Sequence, residues 1–313
     1  NLVFLGDGFD AENISNGDYL RVMNEQMERF FDIEPYHTYR DYFNVSTAIA
    51  VSPESGIGTV NTIRNTKFET TFTGEVGLRG NYSTIFNYAM EVSPVDESNL
   101  NQSLIIVTPN TIDYGGITEM WTDGSAIAFC PLSEDSYPYD ARGIIQHEAG
   151  GHGFGKLGDE YIYHNTFIDF CDCTCCEHVF EFNIAKSLGW YENLSLTGKM
   201  HEVPWSHLIF DDRYSDVVDI YEGGFMHARG VFRSEQNSCM NNNISYYNAI
   251  SREAIVKRIM EYAGESYSFE KFVENDKRDA VNSLSRSAER PGVTVRGNQY
   301  APRIHKGKPD ILK

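Results

Sequence analysis

The sequence predicts an α/β fold in which a mixed sheet packs against helices. Leu2–Leu5 is a short apolar run followed by Gly-Asp-Gly, a pattern typical of a buried strand and a turn. Asp18–Phe31 carries apolar residues at helical spacing and stops before Pro35. Phe43–Val51 is predicted to be a second strand. This strand-helix-strand unit favours a largely parallel sheet with helices on its faces.

The rest of the chain extends this pattern. Two strongly apolar runs, Leu104–Thr108 and Ser125–Cys130, predict further strands. Ser52–Gly80 is polar and rich in Gly and Thr, so we expect a long surface excursion with short strands. Asp140 is a plausible helix cap. Further helices are predicted at Tyr82–Val92, at Val179–Trp190 (with Phe180, Ile184 and Leu188 on one face), at Ser251–Ala263 and at Ser268–Val281.

We expect three parts along the chain. Residues 1–160 form an N-terminal subdomain, and residues 161–280 form a mostly helical and irregular C-terminal subdomain with strand-like pieces near Val217–Tyr221 and Gly230–Phe232. Residues 281–313 form an extended basic tail with seven Lys and Arg against two acids, so its charge is +5 and the remainder carries −24. The tail is expected to lie on its own acidic body.

Charge and hydropathy exclude two classes of partner. The net charge of −19 argues against binding to nucleic acid, whose phosphates require a basic surface. The sequence holds no apolar run of about 18 residues, so no membrane-spanning segment is predicted. Nothing in the sequence indicates an oligomeric state.

The main chemical signature lies in residues 146–160, Gln-His-Glu-Ala-Gly-Gly-His-Gly-Phe-Gly-Lys-Leu-Gly-Asp-Glu. It combines two imidazoles, an acid directly after the first, a glycine three residues after the second and a final acidic pair: His147, His152, Glu148, Gly155, Asp159 and Glu160. This set is typical of a zinc hydrolase. Zinc lowers the pKa of its water to about 7. Glu148 is the predicted general base, which takes a proton and passes it to the leaving amine.

The spacing of the two histidines predicts a distorted helix. His147 and His152 are five residues apart, which places them about 140° apart around a straight α-helix. The usual zinc-peptidase motif has a spacing of four. A bulge would bring the two rings together, and Gly150 and Gly151 are the residues that tolerate it.

A third ligand is expected after a turn at Gly155. Asp159 is the predicted ligand and Glu160 is the alternative; in the first case Glu160 would orient a histidine. Two histidines and one carboxylate leave a position for water, as in catalytic zinc sites, so we expect one zinc ion per chain.

Several separated pieces resemble the immunoglobulin A-cleaving metallopeptidases of gut bacteria and their relatives. They cover most of the chain and comprise Leu5–Phe9, residues 146–161, Tyr221–Gly224 with Arg229–Val231, Asn237–Met240 and Ser251–Glu253. The pattern is also similar to the metzincin clan. That resemblance implies a metzincin-like fold with a sheet packed on the active-site helix, and a methionine turn at Met240 beneath the metal. Metzincins mostly carry a histidine where this chain has Gly158.

The resemblance implies a secreted or cell-surface zinc endopeptidase that acts on proteins or peptides, located outside the cell or in its envelope. Two alternatives remain open: a catalytically idle zinc-binding adhesin or receptor module, and a zinc amidase acting on cell-wall material. Candidate substrate or oxyanion donors are His227, Arg229, Tyr246 and Tyr247. Four crowded cysteines, Cys171, Cys173, Cys175 and Cys176, favour a disulfide-stapled loop over a second metal site.

Overall fold

The computed structural model describes residues 1–91, 94–169, 175–278 and 301–311. These residues fall into two compact units. The first unit comprises Asn1–Asp32, Arg40–Phe154 and the described part of the C-terminal tail. The second comprises Ile33–Tyr39 and the described residues from Gly155 to 278.

The first unit alternates strands and helices. In chain order its elements are β1 (Leu2–Asp7), α1 (Ala11–Ser15), α2 (Asp18–Phe31), β2 (Val45–Thr47), β3 (Thr71–Phe72), β4 (Leu78–Arg79), α3 (Tyr82–Met90), β5 (Leu104–Pro109), β6 (Ile117–Trp121), β7 (Ala126–Phe129), α4 (Ala141–Ile145) and a π-helix (Gln146–Phe154). Short 3₁₀ turns lie at Arg40–Tyr42 and Leu100–Gln102. The predicted α2, α3, β1, β5 and β7 are confirmed, whereas the predicted strand over Phe43–Val51 shortens to β2.

The second unit carries the remaining elements before the tail. They are β8 (Ile162–Phe167), α5 (Cys175–Ser187), β9 (Leu194–Ser195), α6 (Ser206–Ile209), β10 (Tyr221–Gly224), β11 (Met226–Arg233), α7 (Cys239–Asn242), α8 (Ala249–Ala263) and α9 (Phe269–Asn275). The strand β12 (Arg303–His305) then belongs to the first unit.

A six-stranded mixed sheet forms the centre of the first unit, in the order β12-β6-β7-β5-β1-β2. Every neighbouring pair is parallel except β6 with β7. All residues of β1 and β5 are buried, which explains the apolar runs Leu2–Leu5 and Leu104–Val107 because parallel strands are covered on both faces. The predicted α/β class with a mixed sheet is confirmed. The sequence did not predict β6.

Two side chains fix the helix that follows the sheet. Asp140 caps α4 by accepting a hydrogen bond from the Gly143 amide at 2.9 Å, as predicted. Gln146 Nε2 donates to the carbonyls of Arg29 and Asp32 at the end of α2. Those carbonyls lie at a helix end, where intrahelical donors are missing. The start of the π-helix is therefore tied to the end of α2.

A smaller sheet lies in the second unit. It has the order β10-β11-β8, and β9 also pairs with β11. Beside it, α5 buries Phe182 and Ala185, whereas Phe180 is 58% exposed. The predicted apolar face of this helix was therefore wrong, because the ring of Phe182 packs on Phe225 instead. The predicted disulfide-stapled loop depends on residues 170–174 and on the side chains of residues 175–177. These lie outside the described part of the structure.

Candidate metal centre

The α-helix α4 continues without a break into a π-helix that spans the nine residues Gln146–Phe154. In a π-helix each amide bonds to the carbonyl five residues earlier, so residues five apart come onto one face. His147 and His152 have this spacing. The predicted distortion is present, and it extends over all nine residues Gln146–Phe154 rather than over one inserted residue.

The two imidazoles point their nitrogens at each other. Nε2 of His147 and Nε2 of His152 are 3.1 Å apart, and the rings are perpendicular, at 82°. Both side chains are buried. Two nitrogens bound to one tetrahedral zinc ion at ~2.1 Å each would lie about 3.4 Å apart. The pair is therefore already close to the separation that a shared zinc ion requires.

Asp159 completes the group. One of its carboxylate oxygens and one nitrogen of each histidine all lie within 4.8 Å of one another. Asp159 is fully buried. Within the described ranges of the chain, this is the one set of three or more His, Cys, Asp or Glu residues whose ligand atoms already lie this close together. Two neutral imidazoles and a carboxylate are a donor set that fits catalytic zinc and leaves room for water.

The backbone after the π-helix turns sharply to bring Asp159 back. The turn is at Gly155 as predicted, but the left-handed backbone falls on the next residue, Lys156, with φ of 52°. A non-glycine residue in this region is strained and is kept there by its surroundings. Here the Tyr191 amide donates to the Lys156 carbonyl at 2.8 Å.

Gly158 and Asn193 hold the segment that leads to Asp159. A Cβ at Gly158 would lie 2.6 Å from Leu194 Cδ1, so a histidine at this position would require the Leu194 side chain to move. The Asn193 side chain accepts from the Gly158 amide at 2.9 Å and donates to the Gly158 carbonyl at 2.8 Å. The Asp159 carbonyl accepts from the Phe225 amide at 2.8 Å. The acidic ligand position is thus fixed by backbone contacts on both sides.

Glu160 makes a different set of contacts. Its buried carboxylate accepts hydrogen bonds from Asn193, Asn248 and Ser238, which engage both oxygens. Burial raises the pKa of Glu160, and these hydrogen bonds act in the opposite direction. The sequence suggested that this carboxylate orients a histidine; in the structure its bonds go to two amides and a hydroxyl. These contacts favour Asp159 over Glu160 as the third ligand.

Glu148 lies beside the histidines and is fixed by β6. Thr118 Oγ1 lies 2.8 Å from Glu148 Oε2 and 2.9 Å from the Glu148 carbonyl oxygen. A Cβ at Gly116 would lie 3.0 Å from Glu148 Cγ, so the glycine makes room for this side chain. Glu148 is 8% exposed, the most exposed of the four predicted centre residues. Sequence reasoning missed Thr118, although the apolar residues around it were a weak strand signal.

Met240 lies in the short helix α7 and is fully buried. Its carbonyl accepts a hydrogen bond from the Glu160 amide at 2.7 Å, directly after the candidate ligand Asp159. This contact joins the segment of the predicted methionine turn to the ligand segment. Its role beneath a metal stays a prediction.

The four candidate substrate donors lie at different places in the second unit. Tyr246 donates its hydroxyl to Glu235 Oε2 at 2.7 Å, and the Tyr247 ring is fully buried against Tyr36. Arg229 is exposed on β11 with its guanidinium over the Phe167 ring. His227 is fully buried beside two other histidines. Their proposed roles in substrate binding stay predictions.

Comparison with known families gives one match. The family described as IgA Peptidase M64 matches residues 1–186, which is more than half of the 313 residues. The chain belongs to the IgA Peptidase M64 family. No curated protein matches the chain.

Membership in the M64 family makes the protein a metallopeptidase, a hydrolase acting on peptide bonds, and implies a metal cofactor and protein substrates. The matched residues include the entire π-helix and Asp159, but not Met240. None of the helices in the described ranges is long and apolar enough to span a membrane.

Proposed function

We propose that this protein is a zinc-dependent endopeptidase with His147, His152 and Asp159 as ligands and Glu148 as general base. The observation that carries the proposal is the π-helix, which brings the two Nε2 atoms to 3.1 Å. The family supports a peptidase, and the donor set supports zinc among the metals that imidazole and carboxylate bind.

The residues around the metal centre have separate roles in the proposed reaction. When bound, zinc polarises the scissile carbonyl and lowers the pKa of a water to about 7. Thr118 holds the Glu148 carboxylate in one orientation. Glu148 accepts a proton from the attacking water and delivers it to the departing amine, so the peptide bond breaks with the amine neutral.

Replacing the general base tests this assignment. Glu148→Gln keeps the shape of the side chain but cannot accept the proton, so we expect peptide hydrolysis to fall by at least about 100-fold with one zinc per chain retained. Hydrolysis of denatured protein and zinc content by mass spectrometry are the measurements. Glu134→Gln, at an exposed position of the same unit, is the matched control. Cleavage at the parental rate by Glu148→Gln would contradict the mechanism.

A second pair of variants distinguishes the roles of the two acids at the end of the motif, Asp159 and Glu160. Asp159→Asn should lower zinc affinity by at least about 10-fold, because a charged ligand is lost. Glu160→Gln keeps zinc binding but lowers the melting temperature, since its carboxylate binds three side chains. Zinc titration and thermal unfolding of both variants decide between them. Zinc loss in Glu160→Gln alone would assign the ligand to Glu160.

We further propose that the protein works outside the cell or in its envelope. Resemblance to peptidases that cleave secreted immunoglobulin supports this location, as does the cluster of four cysteines in the sequence. Immunoblots of culture medium, envelope and cytoplasmic fractions from the native cells test it. Recovery of the protein in the cytoplasmic fraction alone would contradict the proposal.

A further inference from the structure

A second group of imidazoles lies in the second unit, formed by three different elements. His227 is on β11, His164 is its register partner on the parallel strand β8, and His178 is on α5. Nε2 of His227 lies 2.9 Å from Nδ1 of His178. The ring centroid of His164 lies 5.6 Å from that of His227. Three histidines from separate segments therefore lie next to one another, and two of them face each other through their ring nitrogens.

The central imidazole is held in one orientation. His227 is fully buried, and its other nitrogen, Nδ1, lies 3.1 Å from Thr166 Oγ1. A hydroxyl that accepts the Nδ1 proton leaves the lone pair of Nε2 pointing towards His178. Histidine ligands of metals are oriented in the same way, by a hydrogen bond on the nitrogen that does not bind the ion.

The facing pair of imidazoles repeats the histidine pair of the candidate zinc centre. There the two facing nitrogens of His147 and His152 are 3.1 Å apart, and here those of His227 and His178 are 2.9 Å apart. Both separations are near the ~3.4 Å expected for two ligands of one tetrahedral ion. His164 is exposed on its strand, so its ring can turn to supply a third nitrogen.

We propose that His227, His178 and His164 form a second metal site, for a divalent transition-metal ion of the imidazole-binding class such as Zn²⁺ or Cu²⁺. This site is distinct from the centre that contains His147. Because its ligands come from β8, β11 and α5, the bound ion connects these three elements. Binding to the folded state alone then stabilises the protein against unfolding.

Metal stoichiometry tests the proposal. The full chain is stripped of metal, titrated with Zn²⁺ and analysed by equilibrium dialysis. The cysteines at 171, 173, 175 and 176 are replaced by serine in all proteins, so that thiolates do not contribute. We expect two equivalents in this parent, one equivalent in His227→Gln, and one equivalent in His147→Ala. A matched control, His201→Ala, removes a surface histidine that stacks on Phe210, and should keep two equivalents.

A second measurement covers the case in which His227→Gln does not fold. In the His147→Ala background, Cu²⁺ should give an electron paramagnetic resonance spectrum with coupling to imidazole nitrogens. His164→Ala and Thr166→Val, at partly or fully exposed positions, should each weaken Cu²⁺ binding by at least about 10-fold. A parent that binds one equivalent, or unchanged Cu²⁺ binding and spectra in both variants, would overturn the proposal.

Discussion

At the scale of single residues, the candidate general base is held by a side chain from a distant strand. Glu148 follows a histidine in the motif, which is enough to assign it from the sequence. The sequence does not say how its carboxylate is oriented. Thr118 supplies that orientation through a hydroxyl 2.8 Å from Oε2, from a position 30 residues earlier in the chain.

Thr118→Val tests this contact. Valine keeps the shape of threonine but removes the hydroxyl, and a hydrogen bond to a charged group contributes about 1.5–3 kcal/mol. We expect kcat to fall about 10-fold or more, with KM and zinc content unchanged. Thr111→Val is the control, because Thr111 Oγ1 also binds a carboxylate, that of Asp113, at 2.8 Å. Equal activity of Thr118→Val and the parent would show that Thr118 does not position the Glu148 carboxylate.

Residue types and spacing located the donor set, and the structure brings its three members together. Spacing could not separate Asp159 from Glu160, because both are acids at neighbouring positions. Their difference lies in contacts with Asn193 and Asn248, residues that are more than 30 positions away. Such contacts depend on how the chain folds back, and a local motif does not contain that information.

At the scale of elements, the π-helix is the feature that the histidine spacing predicts best. A spacing of five residues between the two histidine ligands excludes a regular α-helix, so a distortion follows from geometry alone. The length of the π-helix could not be predicted from the histidine spacing. The nine-residue π-helix depends on packing, including the contact of Gly153 with Leu104 on β5.

Gly153→Ala tests how closely the π-helix must approach the sheet. The new Cβ would lie 2.6 Å from Leu104 Cδ1, and Leu104 is buried in the core. Overpacking of this kind costs about 1–3 kcal/mol, so the free energy of unfolding should fall by that amount. Urea unfolding measures it. In the double variant with Leu104→Ala the clash is removed, so we expect less destabilisation than the sum of the two single variants. Strict additivity would contradict the proposed contact.

At the scale of the whole molecule, the α/β class and most strands of the main sheet follow from apolar runs. The sequence missed β6, because Glu119 and Thr118 interrupt its apolar residues and Gly115-Gly116 precedes it. Glu119 is nevertheless buried, where it binds Arg303, His305 and Tyr82. The described part of the basic tail thus lies on an acid, as its charge suggested.

A buried acid in the second unit makes stability depend on pH. Burial raises the pKa of Glu235 from 4.5 to about 7, although the charge of Arg252 and hydrogen bonds from Ala249 and Tyr246 oppose this. Its folded pKa is above its unfolded value, so the folded state binds the extra proton. The stabilisation that comes from protonation of Glu235 in the folded state is complete below pH 4.5 and is lost as the pH rises through 7.

Comparison with Glu235→Gln isolates this contribution. Between pH 4.5 and 7 the parent should lose up to about 3 kcal/mol of unfolding free energy relative to the variant, which has no proton to lose. Denaturant unfolding at a series of pH values measures the difference. Glu261→Gln, at an exposed position of α8, should follow the parent at every pH. Parallel curves for the parent and Glu235→Gln would contradict the assignment.

The edge strand β12 also determines when the main sheet can be finished during translation. Its partner in β6, Glu119, lies 184 residues before Arg303. At ordinary elongation rates, roughly 10–40 s of synthesis separate the two strands. Throughout that interval the nascent chain presents β6 as an unpaired edge and Glu119 without two of its three side-chain partners. The ribosome therefore releases the second unit in full before the first unit can complete its sheet.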